Sequence, residues 1–390
     1  MTLIEKNTGP AQGASFANAG SMTASRAGPW ASPKSVVRTL KGYFNKDSAF
    51  KLSLRADLGQ LRWLVGFLQS AYGRYGAPKR EAMISLALEG IRERKRIDSE
   101  FHLEYGGVYP RLLTIYDSEG DLSAAAQDLK YLATLGVSAD VVSRADCRTL
   151  EPNVDWSSVK MAGATLATDD ETADCFCFCQ EMDRINHALG VSVRYDSEVV
   201  RVDAKSFGKC TVVTRGETLQ SDAVVVAAGT QSVRLAQSHG LRLPMYPVKG
   251  YSLSVQLPEP MRPRLTIAHE KRKVFVAPMT NGLRAAGVAD IVGYRDDIDW
   301  RRVDLVRRTI RDLFPSALLD GSAPAWSGLR AMTHDGPPII CGMPGSGLWF
   351  NTGHGSLGWT FSLASAKSIA EQVLSRRYEP ANPFFGLRYR

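Results

Sequence analysis

The sequence predicts a two-lobed protein of the mixed α/β class. The chain has 390 residues, of which 44% are apolar and 23% are charged. This length is ample for a large core and too long for one ordinary core, so we expect two lobes. Strand-like and helix-like apolar patterns follow one another along the chain, which is typical of a mixed α/β fold.

The N-terminal stretch "MTLIEKNTGPAQGASFANAG" has the pattern of the second strand of a Rossmann-like nucleotide-binding unit. Apolar Leu3 and Ile4 lead to Glu5, and a loop rich in Gly, Pro, Ala and Ser follows. In such a unit the acid after this strand binds ribose hydroxyls. The first strand and the glycine-rich turn have no counterpart before Met1. We expect that the sequence starts inside the fold, through either a late start or a truncation.

The next part of the chain is predicted to form a separate lobe. Residues 35–101 have helical spacing, including the charged amphipathic stretch "KREAMISLALEGIRERKRIDSEF". Short strands are expected at 107–116, and a helix is expected around "SAAAQDLKYLATLG".

From residue 174 the pattern predicts that the nucleotide-binding unit resumes. Asp174 is a suitable N-cap for a helix that ends at about Ala188. "VSVRYDSEVVRVDA" alternates as a strand pair, and "CTVVTRG" and "TLQSDAVVVAAGT" are predicted strands. We expect antiparallel strands over 245–290, a helix over 300–314, and then a strand, a loop and a long helix from 348 onward.

Positive charge is concentrated in one segment. Residues 34–80 contain ten Lys or Arg and two Asp or Glu, a net +8 that equals the charge of the whole chain. Together with the aromatic residues of this segment, the charge favours contact with an anionic surface. "LGQLRWLVGFLQSAYGRYG" is compatible with a membrane-interface helix, but a core helix that has a solvated basic face is the favoured interpretation. No nucleic-acid reader motif accompanies the charge, so nucleic acid is not expected as a partner.

Composition also bears on compartment and metals. No stretch of 18 apolar residues and no signal peptide is recognisable, which favours a cytoplasmic protein, with peripheral contact at the inner face of the cell membrane as a hypothesis. The six cysteines have no disulfide-framework spacing. "DCFCFC" lacks a fourth ligand at zinc spacing, so we predict no metal site and interpret Cys175 and Cys179 as packing residues.

Three stretches carry candidate chemistry. In "AVVVAAGT", Ala228 and Gly229 end a strand with small residues, which lets a ligand approach the backbone. In "SGLRAMTHDGPPIICG", Arg330 is the cation of a mostly uncharged stretch, and its planar fork suits a substrate carboxylate or a structural salt bridge. In "NTGHGSLGWTF", glycines precede a helix whose first amides stabilise negative charge.

These stretches resemble one known family. "GASFANAG", "DDETADC", "VVVAAGT", "LPMYPVKGYS", "GLRAMTHDGPPII" and "LWFNTGHGSLGWT" together are similar to the small subunit of bacterial D-amino-acid dehydrogenase, within the D-amino-acid oxidase superfamily of FAD enzymes. The resemblance extends over essentially the whole chain. It implies a discontinuous Rossmann-like FAD-binding domain, here without its first strand and glycine turn, and a substrate domain built on an antiparallel sheet.

The resemblance also implies domain boundaries and site residues. The FAD-binding domain would comprise 1–34, 146–240 and 325–378, the substrate domain 35–145 and 241–324, and the tail 379–390. Arg330 would bind the substrate carboxylate, with Tyr251 as its partner. The residues that match the cofactor site are Glu5, Ser15, Asn18, Val200, Ala228, Gly229, Gly353, His354, Gly355, Leu357, Gly358 and Trp359. A lone His in a glycine turn is more often a packing residue, so His354 is not predicted to be a base.

The implied reaction is oxidative deamination of a D-amino acid to a 2-oxo acid and ammonia. Electrons would pass through FAD to a quinone or another respiratory-chain acceptor, which would give the basic segment 34–80 a role at the membrane. Two alternatives stay open: an oxidase or dehydrogenase of glycine, sarcosine or hydroxyproline on the same scaffold, and a remnant that does not hold FAD. Without the glycine turn, we expect the 390-residue chain to bind FAD weakly or not at all.

Overall fold

The computed structural model describes residues 1–44, 48–317 and 323–387. Its helices are α1 Pro33–Phe44, α2 Leu58–Ala71, α3 Gly76–Phe101, α4 Glu119–Thr134, α5 Arg144–Leu150, α6 Cys175–Ala188, α7 Ser232–Gln237, α8 Trp300–Leu313 and α9 Gly358–Leu374. Its strands are β1 Thr2–Ile4, β2 Ser21–Met22, β3 Phe50–Leu52, β4 Val108–Tyr116, β5 Ala139–Val142, β6 Gly163–Ala173, β7 Ser192–Arg194, β8 Val199–Ser206, β9 Lys209–Thr214, β10 Thr218–Ser221, β11 Val224–Val226, β12 Met245–Gln256, β13 Thr266–His269, β14 Val274–Met279, β15 Gly282–Ile291, β16 Ala325–Thr333, β17 Ile339–Gly342 and β18 Leu348–Thr352.

One large sheet organises the molecule. Its strand order is β16-β12-β15-β14-β13-β4-β6-β2, with β3 added beside β15 and β5 beside β6. Strand β15 pairs in antiparallel fashion with β12 and β14, and β14 pairs likewise with β13, whereas β13 and β4 are parallel. Helix α8 covers one face through Val303, Val306 and Ile310. The predicted mixed α/β class and antiparallel sheet are confirmed.

Smaller sheets hold the remaining strands. β1 pairs with β7 in parallel, β11 and β18 pair in parallel, and β8, β9 and β10 form an antiparallel meander. The prediction that 191–204 forms a strand pair was wrong, because β7 and β8 join different sheets. A hydrogen bond from Ser197 N to Glu5 O (3.0 Å) ties the turn between them to the end of β1. The predicted domain boundaries stay a prediction; strand β16 itself lies in the large sheet beside β12.

The segment predicted as helical over 35–101 contains a strand as well. Phe50–Leu52 forms β3 and pairs in parallel with Ala289–Ile291 of β15. Helix α2 then packs Trp63 and Phe67 against the sheet, and Trp63 Nε1 donates to the carbonyl of Met332 at 2.8 Å. Of the helices in the described ranges, none is long and apolar enough to cross a membrane.

Helix α9 is fixed by a close contact with α3. A Cβ on Gly90 of α3 would lie 2.1 Å from the carbonyl oxygen of Thr360, so the two backbones touch only because residue 90 is glycine. Buried Trp359, Phe361 and Ala364 complete the packing of α9. The N-terminus of α9 is thereby held at a fixed position beside the loop that precedes β2.

Candidate active site

A cavity of about 800 Å³ lies on the face of the large sheet that β12, β15 and β16 share. Residues 14–35, one side of α4, the turn that carries Glu270 and Lys273, and the start of α9 contribute to its other walls. Pockets of a few hundred to about 1,000 Å³ are typical of small-molecule and cofactor sites. Among the predicted site residues, Ser15, Asn18, Tyr251, Arg330, Gly355, Leu357, Gly358 and Trp359 line this cavity.

Loop 14–20 is held against α9 by hydrogen bonds. Asn18 Oδ1 accepts from the Gly20 amide at 2.8 Å, and Trp359 Nε1 donates to the Gly20 carbonyl at 3.1 Å. Gly20 has φ +70°, and a Cβ there would lie 2.7 Å from the Ala173 carbonyl oxygen. Only glycine fits this turn, so the loop keeps one shape next to the helix.

The start of α9 offers backbone amides to the cavity. Gly355 has φ +61°, and a tight turn over Gly355–Leu357 leads into the helix at Gly358. The first amides of a helix have no partner within it and carry partial positive charge. This wall therefore suits a ligand group that is or becomes negatively charged.

His354 lies next to this turn and is not part of the cavity wall. Its Nε2 is 3.2 Å from Ser365 Oγ, and burial lowers the pKa of His354 to about 4. The imidazole is therefore neutral at physiological pH, in keeping with a packing role.

The remaining predicted cofactor residues lie outside the cavity wall. Gly229 and Gly353 follow the parallel strands β11 and β18, and Thr352 Oγ1 donates to the Gly229 carbonyl at 3.2 Å. The structure thus places these two strand ends together, with Ala228 next to Gly229. Glu5 follows β1 and accepts from the Asn7 amide at 2.8 Å, and Val200 is an exposed residue of β8. Their cofactor roles stay predictions.

Arg330 extends from β16 into the cavity. Its Nη1 donates to the Val288 carbonyl at 3.0 Å, which is the one hydrogen-bond acceptor that the described residues offer to this guanidinium. Burial lowers the pKa of Arg330 to about 10, and Asp290 only partly opposes this effect. A partly buried cation that lines a cavity and has one neutral hydrogen-bond partner is well suited to receive an anion.

The predicted partner of Arg330, Tyr251, faces a different group. Tyr251 lines the cavity, but its hydroxyl donates to Asp290 Oδ2 at 3.0 Å. Burial, together with Asp290, raises the pKa of Tyr251. Arg302 Nη2 lies 2.8 Å from the other oxygen of Asp290 and holds this carboxylate in place. Whether Tyr251 also contacts substrate stays a prediction.

Sequence reasoning missed several cavity residues. Trp326, Gly328 and Met332 alternate with Arg330 along β16, and all four line the cavity. The two-residue period of "AWSGLRAMT" was the signal that could have found them. A Cβ on Gly328 would lie 1.9 Å from the Trp326 ring, so this glycine makes room for the indole. Seven charged residues of the cavity wall were also missed: Arg26, Lys34, Arg80, Asp121, Asp128, Glu270 and Lys273.

The residues present fit FAD. Small side chains at Ala14, Ala17 and Ala19 leave space beside the helix amides of α9, and this space is continuous with the pocket that contains Arg330. The amides at the start of α9 would hold a flavin in the same cavity that Arg330 lines, where the flavin would supply the redox chemistry. The cavity volume is sufficient for a ring system and a small substrate together.

Comparisons with known proteins identify the family of the chain. Residues 1–372 match the family model described as FAD dependent oxidoreductase. The D-amino acid dehydrogenase of Rhizobium johnstonii is 34% identical over 374 residues, which cover 96% of this chain and 90% of that protein. The D-amino acid dehydrogenase of Vibrio cholerae is 32% identical over 97% of this chain and 90% of its own length.

Solved structures share the fold. Glycine oxidase from Geobacillus kaustophilus superposes with a TM-score of 0.70 at 21% identity, covering 99% of this chain and 91% of its own. L-proline dehydrogenase from P. horikoshii superposes with a TM-score of 0.68 at 15% identity, covering 78% of this chain and 82% of its own. The family resemblance predicted from the motifs is confirmed: the chain belongs to the FAD-dependent oxidoreductases of the D-amino-acid oxidase family.

Proposed function

We propose that this chain is an FAD-dependent D-amino-acid dehydrogenase. It oxidises the amine of a D-amino acid to an imine, which water hydrolyses to a 2-oxo acid and ammonia. The observation that carries the proposal is the position of Arg330, whose partly buried guanidinium lines the same cavity as the N-terminus of α9. The D-amino acid dehydrogenases that the chain resembles over nearly its whole length support the choice of substrate.

The chain's own residues provide binding and orientation. Arg330 binds the substrate carboxylate and so fixes the position of Cα in the cavity. When the amine binds in its neutral form, no side-chain base is needed. FAD, when bound, accepts the hydride from Cα. The amides of Gly358 and Trp359 at the start of α9 would stabilise negative charge on a group bound at this end of the cavity.

Conversion of Arg330 to Lys tests the proposal. The Arg330→Lys variant keeps the charge but cannot donate two parallel hydrogen bonds to the substrate carboxylate. We therefore expect kcat/KM for a D-amino acid to fall at least tenfold, a loss of transition-state stabilisation of about 1.4 kcal/mol or more. Arg301→Lys, at an exposed position of α8, is the matched control and should not change kcat/KM. Flavin absorbance reports whether each variant keeps its cofactor.

An amine substrate without a carboxylate distinguishes a role of Arg330 in carboxylate binding from a structural role. Wild type should oxidise such an amine slowly, and Arg330→Lys should be no slower on it. If the variant slows both substrates equally or loses its flavin, Arg330 is a structural residue. A panel with glycine, sarcosine and hydroxyproline would identify the alternative substrates by a higher kcat/KM than for any D-amino acid.

We also propose that a quinone or another membrane acceptor reoxidises the enzyme at an anionic membrane surface. One face of α2 exposes a continuous row of apolar side chains: Leu58, Leu61, Val65, Leu68 and Tyr72. We call this row the α2 outer stripe. The exposed cations Arg55, Arg62 and Arg74 lie beside it in the sequence. An apolar row with adjacent cations is the arrangement by which a helix lies on anionic lipid.

A further inference from the structure

A cluster of three charged residues forms one wall of the cavity. Arg26 Nη2 lies 2.8 Å from Glu270 Oε2, and Lys273 Nζ bonds the other oxygen, Oε1. Arg26 Nη1 also donates to Thr114 Oγ1 at 3.3 Å, and the guanidinium lies over the Phe275 ring, 5.2 Å from its centre. These contacts hold the cluster in one arrangement.

The cluster is cationic as a unit. Burial opposes ionisation of Glu270, but Arg26 and Lys273 lower its pKa to about 2, so one carboxylate faces two cations. Asp170, the other acid near Arg26, is enclosed by the hydroxyls of Thr23 and Ser25 and by two backbone amides, and it does not line the cavity.

The whole cavity has the same bias. Among the described residues that line it, the five cations outnumber the three acids; the cations are Arg26, Lys34, Arg80, Lys273 and Arg330, and the acids are Asp121, Asp128 and Glu270.

One residue connects this cluster to the proposed carboxylate site. The Val288 amide donates to the Lys273 carbonyl at 3.2 Å, and the Val288 carbonyl accepts from Arg330 at 3.0 Å. Val288 is held in the left-handed region at φ +49°, which a β-branched residue rarely adopts. Val288 therefore links the turn that carries Lys273 to the Arg330 guanidinium, and both lie on the wall of the same cavity.

We propose that the cluster of Arg26, Glu270 and Lys273 binds an anionic side chain of the substrate, so that the preferred substrates are dicarboxylic D-amino acids of the aspartate and glutamate class. This inference rests on the proposed function. The α-carboxylate occupies Arg330, and the side-chain carboxylate reaches Lys273 and Arg26. A second carboxylate adds charge-assisted hydrogen bonds that a neutral side chain of equal length does not form.

Binding of two five-carbon acids tests the inference without turnover. Calorimetry on the flavin-loaded protein compares glutarate, which has two carboxylates, with pentanoate, which has one. Glutarate should bind at least tenfold more tightly to wild type. In Lys273→Met this ratio should fall to threefold or less while pentanoate binding is kept, and Lys273→Arg should restore the ratio. Lys271→Met, an exposed position of the same turn, should behave as wild type. Equal Kd values for the two acids in wild type would overturn the inference.

Turnover separates this inference from the proposed function. D-glutamate should have a higher kcat/KM than D-norvaline in wild type, and Lys273→Met should reduce kcat/KM for D-glutamate alone. Oxidation of D-norvaline with a lower kcat/KM for D-glutamate would overturn the inference and leave the proposed function standing. No oxidation of any D-amino acid by the flavin-loaded enzyme would overturn the proposed function itself, while the glutarate and pentanoate measurements would still decide whether the cluster binds a carboxylate.

Discussion

The Arg330 guanidinium lies directly over the backbone of Gly250 on the neighbouring strand. A Cβ on Gly250 would lie 2.2 Å from Arg330 Nη2 and 2.4 Å from its Cζ. Gly250 pairs with Gly328 across β12 and β16, so glycines on both strands leave room for large side chains. The guanidinium can therefore occupy this position only because residue 250 on the neighbouring strand has no side chain.

Substitution of Gly250 by alanine should displace the guanidinium. The new methyl group has no room beside Arg330, so the guanidinium must move away from its position over residue 250. KM for a D-amino acid should therefore rise about tenfold or more. Gly120→Ala, in α4, is the control because its Cβ would meet nothing within 4 Å, and KM should stay unchanged. Steady-state kinetics with measured flavin content decide. An unchanged KM in Gly250→Ala would show that the position of the fork is not critical.

Arg330 should lower the free energy of unfolding. Because burial lowers its pKa to about 10, below the value in the unfolded chain, the charged form is less favourable in the folded protein at neutral pH. Arg330→Met removes this penalty and loses one hydrogen bond to Val288, so the free energy of unfolding should rise by about 1–2 kcal/mol. Urea denaturation of wild type and Arg330→Met at pH 7 without substrate measures this difference in the free energy of unfolding. A lower free energy of unfolding would show that the arginine is structurally required.

His354 should make the fold sensitive to acid. Its pKa of about 4 lies below the ordinary value near 6.5, so between these values the unfolded chain binds a proton that the folded protein does not. The free energy of unfolding should therefore fall as the pH decreases from 7 to 5, by about 2 kcal/mol for this group.

The variant His354→Gln should reduce this dependence, while His187→Gln, at an exposed position of α6, should keep it. Denaturation curves at both pH values give the comparison. The same pH dependence in wild type and His354→Gln would exclude His354 as its source.

The α2 outer stripe should mediate membrane contact. Wild type should cosediment with vesicles that contain anionic lipid at low salt, and added salt should weaken the electrostatic part of the binding. Leu61→Glu places a charge in the stripe and should abolish cosedimentation, whereas Leu374→Glu, at an exposed position of α9, should not. Equal binding to neutral vesicles, or no binding to either kind, would contradict the proposed membrane contact.

The patterns that depend on local spacing were predictable from the sequence. Asp174 caps α6 as expected, with its Oδ1 accepting from the Phe176 and Cys177 amides. The glycine turn before α9 also lies where "NTGHGSLGWT" places it. Such signals lie within a few residues of one another, so the sequence contains the whole interaction.

Long-range contacts were not predictable in this way. Strand β3 has three residues, and it is a strand only because it pairs with β15, about 240 residues later. The cluster of Arg26, Glu270 and Lys273 combines a loop near the N-terminus with a turn in the middle of the chain. "HEKRK" by itself indicates only a charged turn, and nothing in its spacing points to residue 26.

The left-handed conformation of Val288 ties both cationic sites of the cavity to one residue of the main chain. Its amide bonds the carbonyl of Lys273, and its own carbonyl accepts from the Arg330 guanidinium. A shift of this residue would therefore move the turn that carries Lys273 and the hydrogen-bond acceptor of Arg330 together. Discrimination among homologous diacids would then depend in part on an uncharged valine.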